Sequence, residues 1–254
     1  MNDLKEFRRE LGISSNLLAP LISIADPSVT ELLTFSNPDF FIVDMEHSVI
    51  DISVLQQIIV SARPYPVIAR IRGAEKNEIK KVLDTGAAGI IVPGIESSEE
   101  VRQVISYSRV PPEGIRGIGP GRASGYGAVF KSYASNANDS VVIVQIETEK
   151  AFLNVEEIFN VKGLDGYFIG PVDLSAALNI DFSWENRKFV EIIDKIISAS
   201  AGKKLINGIY SPLSNKYFDQ ILMRKFNFIM LGTDREAMLS RYTDTIKMIR
   251  EMNH

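Results

Sequence analysis

The chain has 254 residues, a hydrophobic fraction of 45%, a charged fraction of 24% and a formal net charge of −4. A fold of that size buries about three quarters of its unfolded surface without help from disulfides or structural metal, and its acidic balance argues against a nucleic-acid partner, which leaves a basic footprint. The absence of cysteine excludes disulfides, thiolate zinc sites and a cysteine nucleophile, and it fits a cytoplasmic protein.

The N-terminal residues Met1-Asn2-Asp3-Leu4-Lys5-Glu6 are charged and lack the apolar stretch of a signal peptide. No later run approaches the roughly 18 apolar residues of a membrane helix, so no membrane partner is expected. Short β-rich apolar runs then follow at residues 17–24, 40–46, 67–71, 89–93, 141–147, 165–170, 204–209 and 226–231. Between them lie segments with helical spacing, such as Ile79, Val82 and Leu83, or Val190, Ile193, Ile196 and Ile197. Eight strands with intervening helices predict an α/β fold, a single (β/α)8 TIM barrel spanning residues 1–254. An open doubly wound sheet would need fewer strands and a Gly-rich first turn, and none is present. Residues 110–127, with three prolines and six glycines, form the one long irregular stretch, placed after the helix that follows strand four.

Barrel enzymes carry their chemistry where the strands end. Strand two ends in Asp44-Met45-Glu46-His47, and strand three carries Arg70 with Arg72 two residues on. Strand five ends in Gln145-Ile146-Glu147, and strand six runs into Gly170-Pro171-Val172-Asp173. Glu147 and Asp173 therefore stand at the rims of neighbouring strands, and two carboxylates without cysteine suit Mg²⁺, Mn²⁺ or another divalent cation that prefers oxygen. Positions left open on such an ion suit the carboxylate and keto oxygens of a 2-keto acid. His47 can serve as base or proton relay, and the Arg70 fork can neutralise an oxygen of that acid.

Each of these residues also has a structural reading. Asp173 can cap the helix that follows it, and Glu147 can be a first-turn carboxylate. Arg70 and Asp44 can form an ion pair between adjacent strands, and His47 can be a satisfied rim histidine. His254 is terminal and expected to be solvated. A Schiff-base lysine is not expected, because Lys203 and Lys204 begin a strand while Lys76, Lys80 and Lys81 belong to a helix.

Six ordered stretches carry a resemblance. They are Phe41-Ile42-Val43-Asp44-Met45-Glu46-His47, residues 81–93, Pro111-Pro112-Glu113-Gly114-Ile115-Arg116-Gly117, Gly121-Arg122-Ala123-Ser124, Val144-Gln145-Ile146-Glu147, and residues 165–175. With that order and spacing the chain resembles the HpcH/HpaI aldolase/citrate lyase family, the class II pyruvate aldolases. The resemblance implies a metal-binding TIM barrel of the phosphoenolpyruvate/pyruvate type, assembled as a homo-hexamer in which a C-terminal helix is exchanged between subunits. It implies Glu147 and Asp173 as metal ligands, Arg70 on the keto oxygen, and His47 as catalytic histidine with Asp84 as its carboxylate partner. Asp44 becomes a further active-site acid, and Gln145 lines the keto-acid site. The N–H groups of Val172 and Asp173 hold the substrate carboxylate at a helix N-terminus, and Arg122 and Ser124 contact the aldehyde half.

The implied activity is reversible aldol cleavage of a 4-hydroxy-2-oxo acid to pyruvate, or a close analogue, and an aldehyde, through a metal-stabilised enolate. The alternative is condensation of oxaloacetate with acetyl-CoA, as in citrate-forming enzymes of siderophore pathways. Arg72 motivates it: the family pattern after Arg70 is Val-Pro-Trp-Asn-Asp, whereas this chain reads Ile71-Arg72-Gly73-Ala74-Glu75 and gains a cation. After His47 the chain also departs from the pattern, with Ser48-Val49-Ile50-Asp51. A keto-acid sensor without turnover would be expected to lack ligands, and none is missing.

Overall fold

Short runs of β-branched and aromatic residues become strands here because each is covered on both faces. In the computed structural model, which describes residues 4–252, the strands are β1 (Leu17–Ile22), β2 (Phe41–Asp44), β3 (Val67–Arg70), β4 (Gly89–Val92), β5 (Val141–Ile146), β6 (Gly166–Ile169), β7 (Ile206–Ser211) and β8 (Phe228–Thr233). All are parallel, neighbours in sequence are neighbours in space, and β8 pairs back onto β1 to close the barrel. The helices are α1 (Leu4–Ile13), α2 (Pro27–Thr34), α3 (Ile52–Ser61), α4 (Lys76–Asp84), α5 (Ser98–Ser108), α6 (Phe130–Asn136), α7 (Glu149–Leu153), α8 (Val155–Phe159), α9 (Pro171–Ala177), α10 (Arg187–Ala199), α11 (Phe218–Met223) and α12 (Asp234–Met252). This is the (β/α)8 TIM barrel that the strand count predicts. No helix among the described residues is long and apolar enough to cross a membrane. His254 lies outside the described residues, as does the start of the chain at Met1, Asn2 and Asp3.

The period of two along each strand decides which side chains face the barrel axis. Ile42, Ile68, Ile91, Ile143, Phe168, Ile206 and Phe228 face inward and pack with Phe7 and Leu11 of α1, which plugs the lower end. Phe7 meets Phe40 edge-on, with ring centroids 5.5 Å apart. The alternate residues, among them Val43, Ala69, Ile90, Val142, Val144 and Ile169, pack outward against the helices. Room inside is tight: a Cβ on Gly208 would lie 2.1 Å from the Phe228 ring, so the glycine is what lets that phenyl fill the axis.

The same alternation carries Asp44, Arg70 and Gln145 to the inner face of the last layer, where β2, β3 and β5 end. Strands seven and eight, however, run two residues later than the apolar pattern predicts, ending at Ser211 and Thr233 instead of Ile209 and Leu231. Leu205 and Phe226 are apolar because they pack against the core from outside the strands. Asn207 and Asn227 exchange backbone-to-side-chain hydrogen bonds of 2.9 and 2.8 Å there and set the register.

The glycine- and proline-rich segment after α5 crosses the rim where strands begin. Arg116, nearly fully buried, holds it: its Nη1 donates to Tyr133 Oη at 3.1 Å and its Nη2 to the Ala137 carbonyl at 2.7 Å.

Candidate active site

The mouth of the barrel, where the strands end, holds a cavity of about 310 Å³. Asp44, His47, Arg70, Gln145, Val172 and Asp173 all line it. Asp44 and Arg70 are directly opposite in the β2–β3 register. Arg70 Nε donates to Asp44 Oδ1 at 3.0 Å, and Arg70 Nη2 lies 2.9 Å from Oδ2. Glu46 Oε2 sits 3.3 Å from Arg70 Nε, so two carboxylates hold the guanidinium, and among the described residues its Nη1 makes no hydrogen bond. The ion pair between strands is therefore real, and it orients Arg70 within the cavity wall. Asp44 Oδ1 also accepts the backbone N–H groups of Glu46 and His47 at 3.1 and 3.2 Å, tying the loop that carries the histidine to the same anchor.

His47 stands at the rim: its side chain is 64% exposed, and its Nε2 lies 3.7 Å from Glu46 Oε2. Burial pushes the Glu46 carboxyl above its usual range, opposed by the Arg70 guanidinium and reinforced by the negative charge of Glu147.

Glu147, one residue beyond β5, is not part of the following helix, whose N-cap is Thr148. Its Oε1 accepts the Gly94 N–H at 2.7 Å, and its Oε2 accepts from the amide of Gln145. Gln145 is fully buried, and its Oε1 has no partner. Across the β5–β6 pair, Gly170 approaches so closely that an added Cβ would lie 3.2 Å from both Gln145 Nε2 and Glu147 Cβ. Asp173 occupies the third position of α9 without capping it, and among the described residues it enters no hydrogen bond or ion pair. The first N–H of α9 with a backbone acceptor is that of Leu174, bound to Gly170 at 3.0 Å, so the N–H groups of Val172 and Asp173 remain available.

The carboxylates of Glu147 and Asp173 are of the kind that could hold a hard divalent cation. Glu147 is held by the Gly94 N–H and the Gln145 amide and borders a depression beside the cavity, whereas Asp173, its carboxylate free, lines the cavity itself. No group of three or more His, Cys, Asp or Glu side chains that could hold a metal occurs among the described residues. Two carboxylates with water in the remaining positions is a habit of Mg²⁺.

Four expected residues fall elsewhere. Asp84 ends α4, which runs back along the barrel, so it lies at the rim where strands begin, at the far end from His47. It pairs there with Arg116 at 3.6 Å, and burial raises its carboxyl against the pull of Arg116 and Lys80. The expected His47–Asp84 pair is thus not made within one chain. Arg122 donates to the Thr85 carbonyl at 2.7 Å, and Ser124 Oγ to the Gly121 carbonyl at 2.9 Å, both at that same lower rim. Neither lines the cavity of its own chain. Arg72 is engaged by Glu78 at 3.2 Å and by the Ile50 carbonyl at 2.9 Å, and it borders a separate depression alongside Glu46 and Glu147.

Among the lining residues that were not expected are Tyr210, Thr233 and Arg235, with Leu21, Ser23 and Phe168 beside them. Tyr210 is pushed up to about 12 by burial and by the negative charge of Glu236, so its phenol stays a donor across the physiological range.

The chain is similar to several known proteins. Over 214 residues the chain is 35% identical to 2-keto-3-deoxy-L-rhamnonate aldolase of Escherichia coli (strain K12), covering 81% of this chain and 78% of that protein. It is 38% identical over 159 residues to hydroxypyruvate/pyruvate aldolase of Sagittula stellata, covering 61% and 62%. A crystal structure of an HpcH/HpaI aldolase/citrate lyase family protein from Burkholderia cenocepacia superposes with a TM-score of 0.89 at 24% identity, covering 97% of this chain and 99% of that one. The model of the HpcH/HpaI aldolase/citrate lyase family matches residues 21–240. The chain belongs to that family.

Proposed function

We propose that the protein is a divalent-metal-dependent carbon–carbon lyase that reversibly cleaves a 4-hydroxy-2-oxo acid to pyruvate, or a close analogue, and an aldehyde. The observation that carries this reading is the convergence on one cavity of an oriented arginine, an exposed histidine, free helix N–H groups and an unpaired carboxylate. The names of the relatives support it, since both act as aldolases on keto acids.

In this reading the substrate carboxylate rests on the N–H groups of Val172 and Asp173, where the helix dipole favours an anion. Arg70 Nη1 meets the keto oxygen, already aligned by Asp44 and Glu46, so it needs no reorganisation as charge develops there. His47 accepts the proton of the 4-hydroxyl, the C3–C4 bond breaks, the aldehyde leaves, and the electron pair reaches the C2 oxygen as an enolate. Protonation at C3 then gives the keto acid. Glu147 and Asp173 would hold the divalent ion, which supplies Lewis acidity for the negative oxygen.

Asp84 enters this chemistry only through a second copy of the chain, because its own His47 lies at the other end of the barrel. A homo-oligomer, with a hexamer as the form the resemblance implies, is part of the proposal.

The test is a panel of pyruvate with aldehydes, and of oxaloacetate with acetyl-CoA, run with Mg²⁺, with Mn²⁺ and with EDTA. Aldol turnover that EDTA abolishes supports the reading. Turnover that survives EDTA contradicts it, and thiol release from acetyl-CoA would favour condensation.

A further inference from the structure

A 2-keto acid seated as above has two of the three bonds at its planar C2 accounted for. The oxygen points to Arg70 on β3, and the carboxylate points to the N–H groups after β6. The third bond, to C3, then points to the arc of wall that follows β7, β8 and β1, lined by Leu21, Ser23, Tyr210, Thr233 and Arg235. Proton transfer at C3 ends the cleavage and begins its reverse, and it needs a group placed within reach. His47 is engaged with the 4-hydroxyl.

The residues of that arc differ in what they can transfer. Leu21 carries no exchangeable proton, and the Arg235 guanidinium cannot give one up. The Ser23 hydroxyl donates to Asp234 at 2.5 Å, but that carboxylate also accepts the N–H groups of Ser23, Ile24 and Arg235 at 3.0, 2.9 and 2.9 Å. Asp234 is thus saturated, a clamp between α12 and β1. Thr233 Oγ1 accepts the N–H of Glu236 at 2.9 Å at the start of α12. Tyr210 remains. Its ring packs on the axial core, and its hydroxyl donates to the Glu236 carboxylate.

Glu236 stands behind the phenol, outside the cavity lining, in the first turn of α12. Its Oε1 accepts the N–H groups of Leu213 and Ser214 at 2.9 and 3.4 Å, while among the described residues its Oε2 accepts no backbone N–H. Gly232 leaves room for this arrangement, since a Cβ there would lie 2.7 Å from Glu236 Oε2 and 2.4 Å from Leu213 Cγ. Burial and the charge of Glu236 push the Tyr210 phenol up to about 12, so it can pass a proton on but does not rest as the base. The carboxylate behind it can.

We propose that Tyr210 and Glu236 form the proton relay to C3: the phenol oxygen takes the C3 proton as the phenol's own proton moves to the carboxylate. The C3–H electron pair becomes the C2–C3 double bond, and the C2–O pair moves to the oxygen beside Arg70. In the cleavage direction the phenol protonates C3, Glu236 replaces that proton, and water recharges Glu236. Tyr210 is then a catalytic residue, and Glu236 acts through it. The inference rests on the aldolase reading and supplies the proton donor which that reading leaves unassigned.

The experiment uses the full chain with Mg²⁺ and sets two reactions of one enolate side by side. Exchange of the pyruvate methyl protons in deuterium oxide requires proton transfer at C3. Release of carbon dioxide from oxaloacetate reaches the same enolate by breaking C3–C4, with no proton taken from C3. General acid–base groups contribute about 10²- to 10⁴-fold. Tyr210→Phe and Glu236→Gln are therefore each expected to lower the ratio of exchange to carbon dioxide release by at least about 100-fold, and Glu236→Asp should lower it less. A structural role would move both rates together, so a wild-type ratio in Tyr210→Phe, whether both rates stay or both fall, overturns the relay. If Glu236→Gln fails to fold, Tyr210→Phe decides, because it removes one oxygen from an otherwise intact ring. A wild type that exchanges no better than Tyr210→Phe while still releasing carbon dioxide sinks the relay alone. A wild type that neither exchanges nor cleaves sinks the aldolase reading and the relay with it.

Discussion

Asp44 performs three tasks with one carboxylate. It neutralises Arg70, aligns that guanidinium, and accepts the N–H groups that set the start of the His47 loop. Because Asp44 and Arg70 are both buried, removing one partner leaves an uncompensated charge in the barrel mouth. Asp44→Ala is expected to lose about 3 kcal/mol of stability in urea unfolding, and to lower kcat together with the unfolding midpoint. Unchanged stability would show that Glu46 alone suffices for Arg70. Asp44 and Arg70 were legible in the sequence because each ends an apolar strand, Glu147 because it directly follows one, and Asp173 because it stands in the turn after another. Tyr210 and Thr233 were not, because the apolar run ends two residues before the strand does. Arg235 lies just past the end of β8, in the first turn of α12, where no apolar run points to it.

At the scale of elements, the turn from β6 into α9 carries most of the site. Gly170 adopts φ −88°, a conformation open to any residue, so its glycine is explained by contact with Gln145 and Glu147 and not by backbone freedom. Gly170→Ala therefore tests the packing alone. It should weaken Mn²⁺ binding about tenfold, read by electron paramagnetic resonance, while circular dichroism stays that of the wild type. Unaltered Mn²⁺ affinity would mean that Glu147 is free to shift and that its support by Gln145 is incidental. The same reasoning explains why α9 begins without a side-chain cap: its first N–H groups face the cavity.

At the scale of the molecule, the barrel closes but leaves surfaces unfinished. Leu239, Tyr242, Ile246 and Ile249 lie on one face of α12 and are all exposed, an apolar stripe of the kind that marks an interaction surface. Asp84 and the segment around Arg116 and Arg122 sit at the opposite rim from the mouth. The strand count made the barrel legible in the sequence. The resemblance implies a link between His47 and Asp84, whereas the structure sets the two at opposite ends of one chain, which apolar periodicity does not reveal. Subunits that share a site make a distinct prediction. Mixing His47→Ala and Asp84→Ala chains under exchange conditions should restore activity absent from either alone, because some sites then receive an intact residue from each copy. A mixture no more active than its parts would contradict the shared site.

The account depends most on the two carboxylates after β5 and β6 holding a divalent ion beside a developing enolate. Exchange of the pyruvate methyl protons for deuterium, followed by proton nuclear magnetic resonance in Mg²⁺ and after EDTA, tests this without any aldehyde. The wild type should exchange only with the ion present, and Glu147→Gln and Asp173→Asn should each lose that exchange while remaining folded. Exchange that persists in EDTA, or in both variants, would contradict the claim.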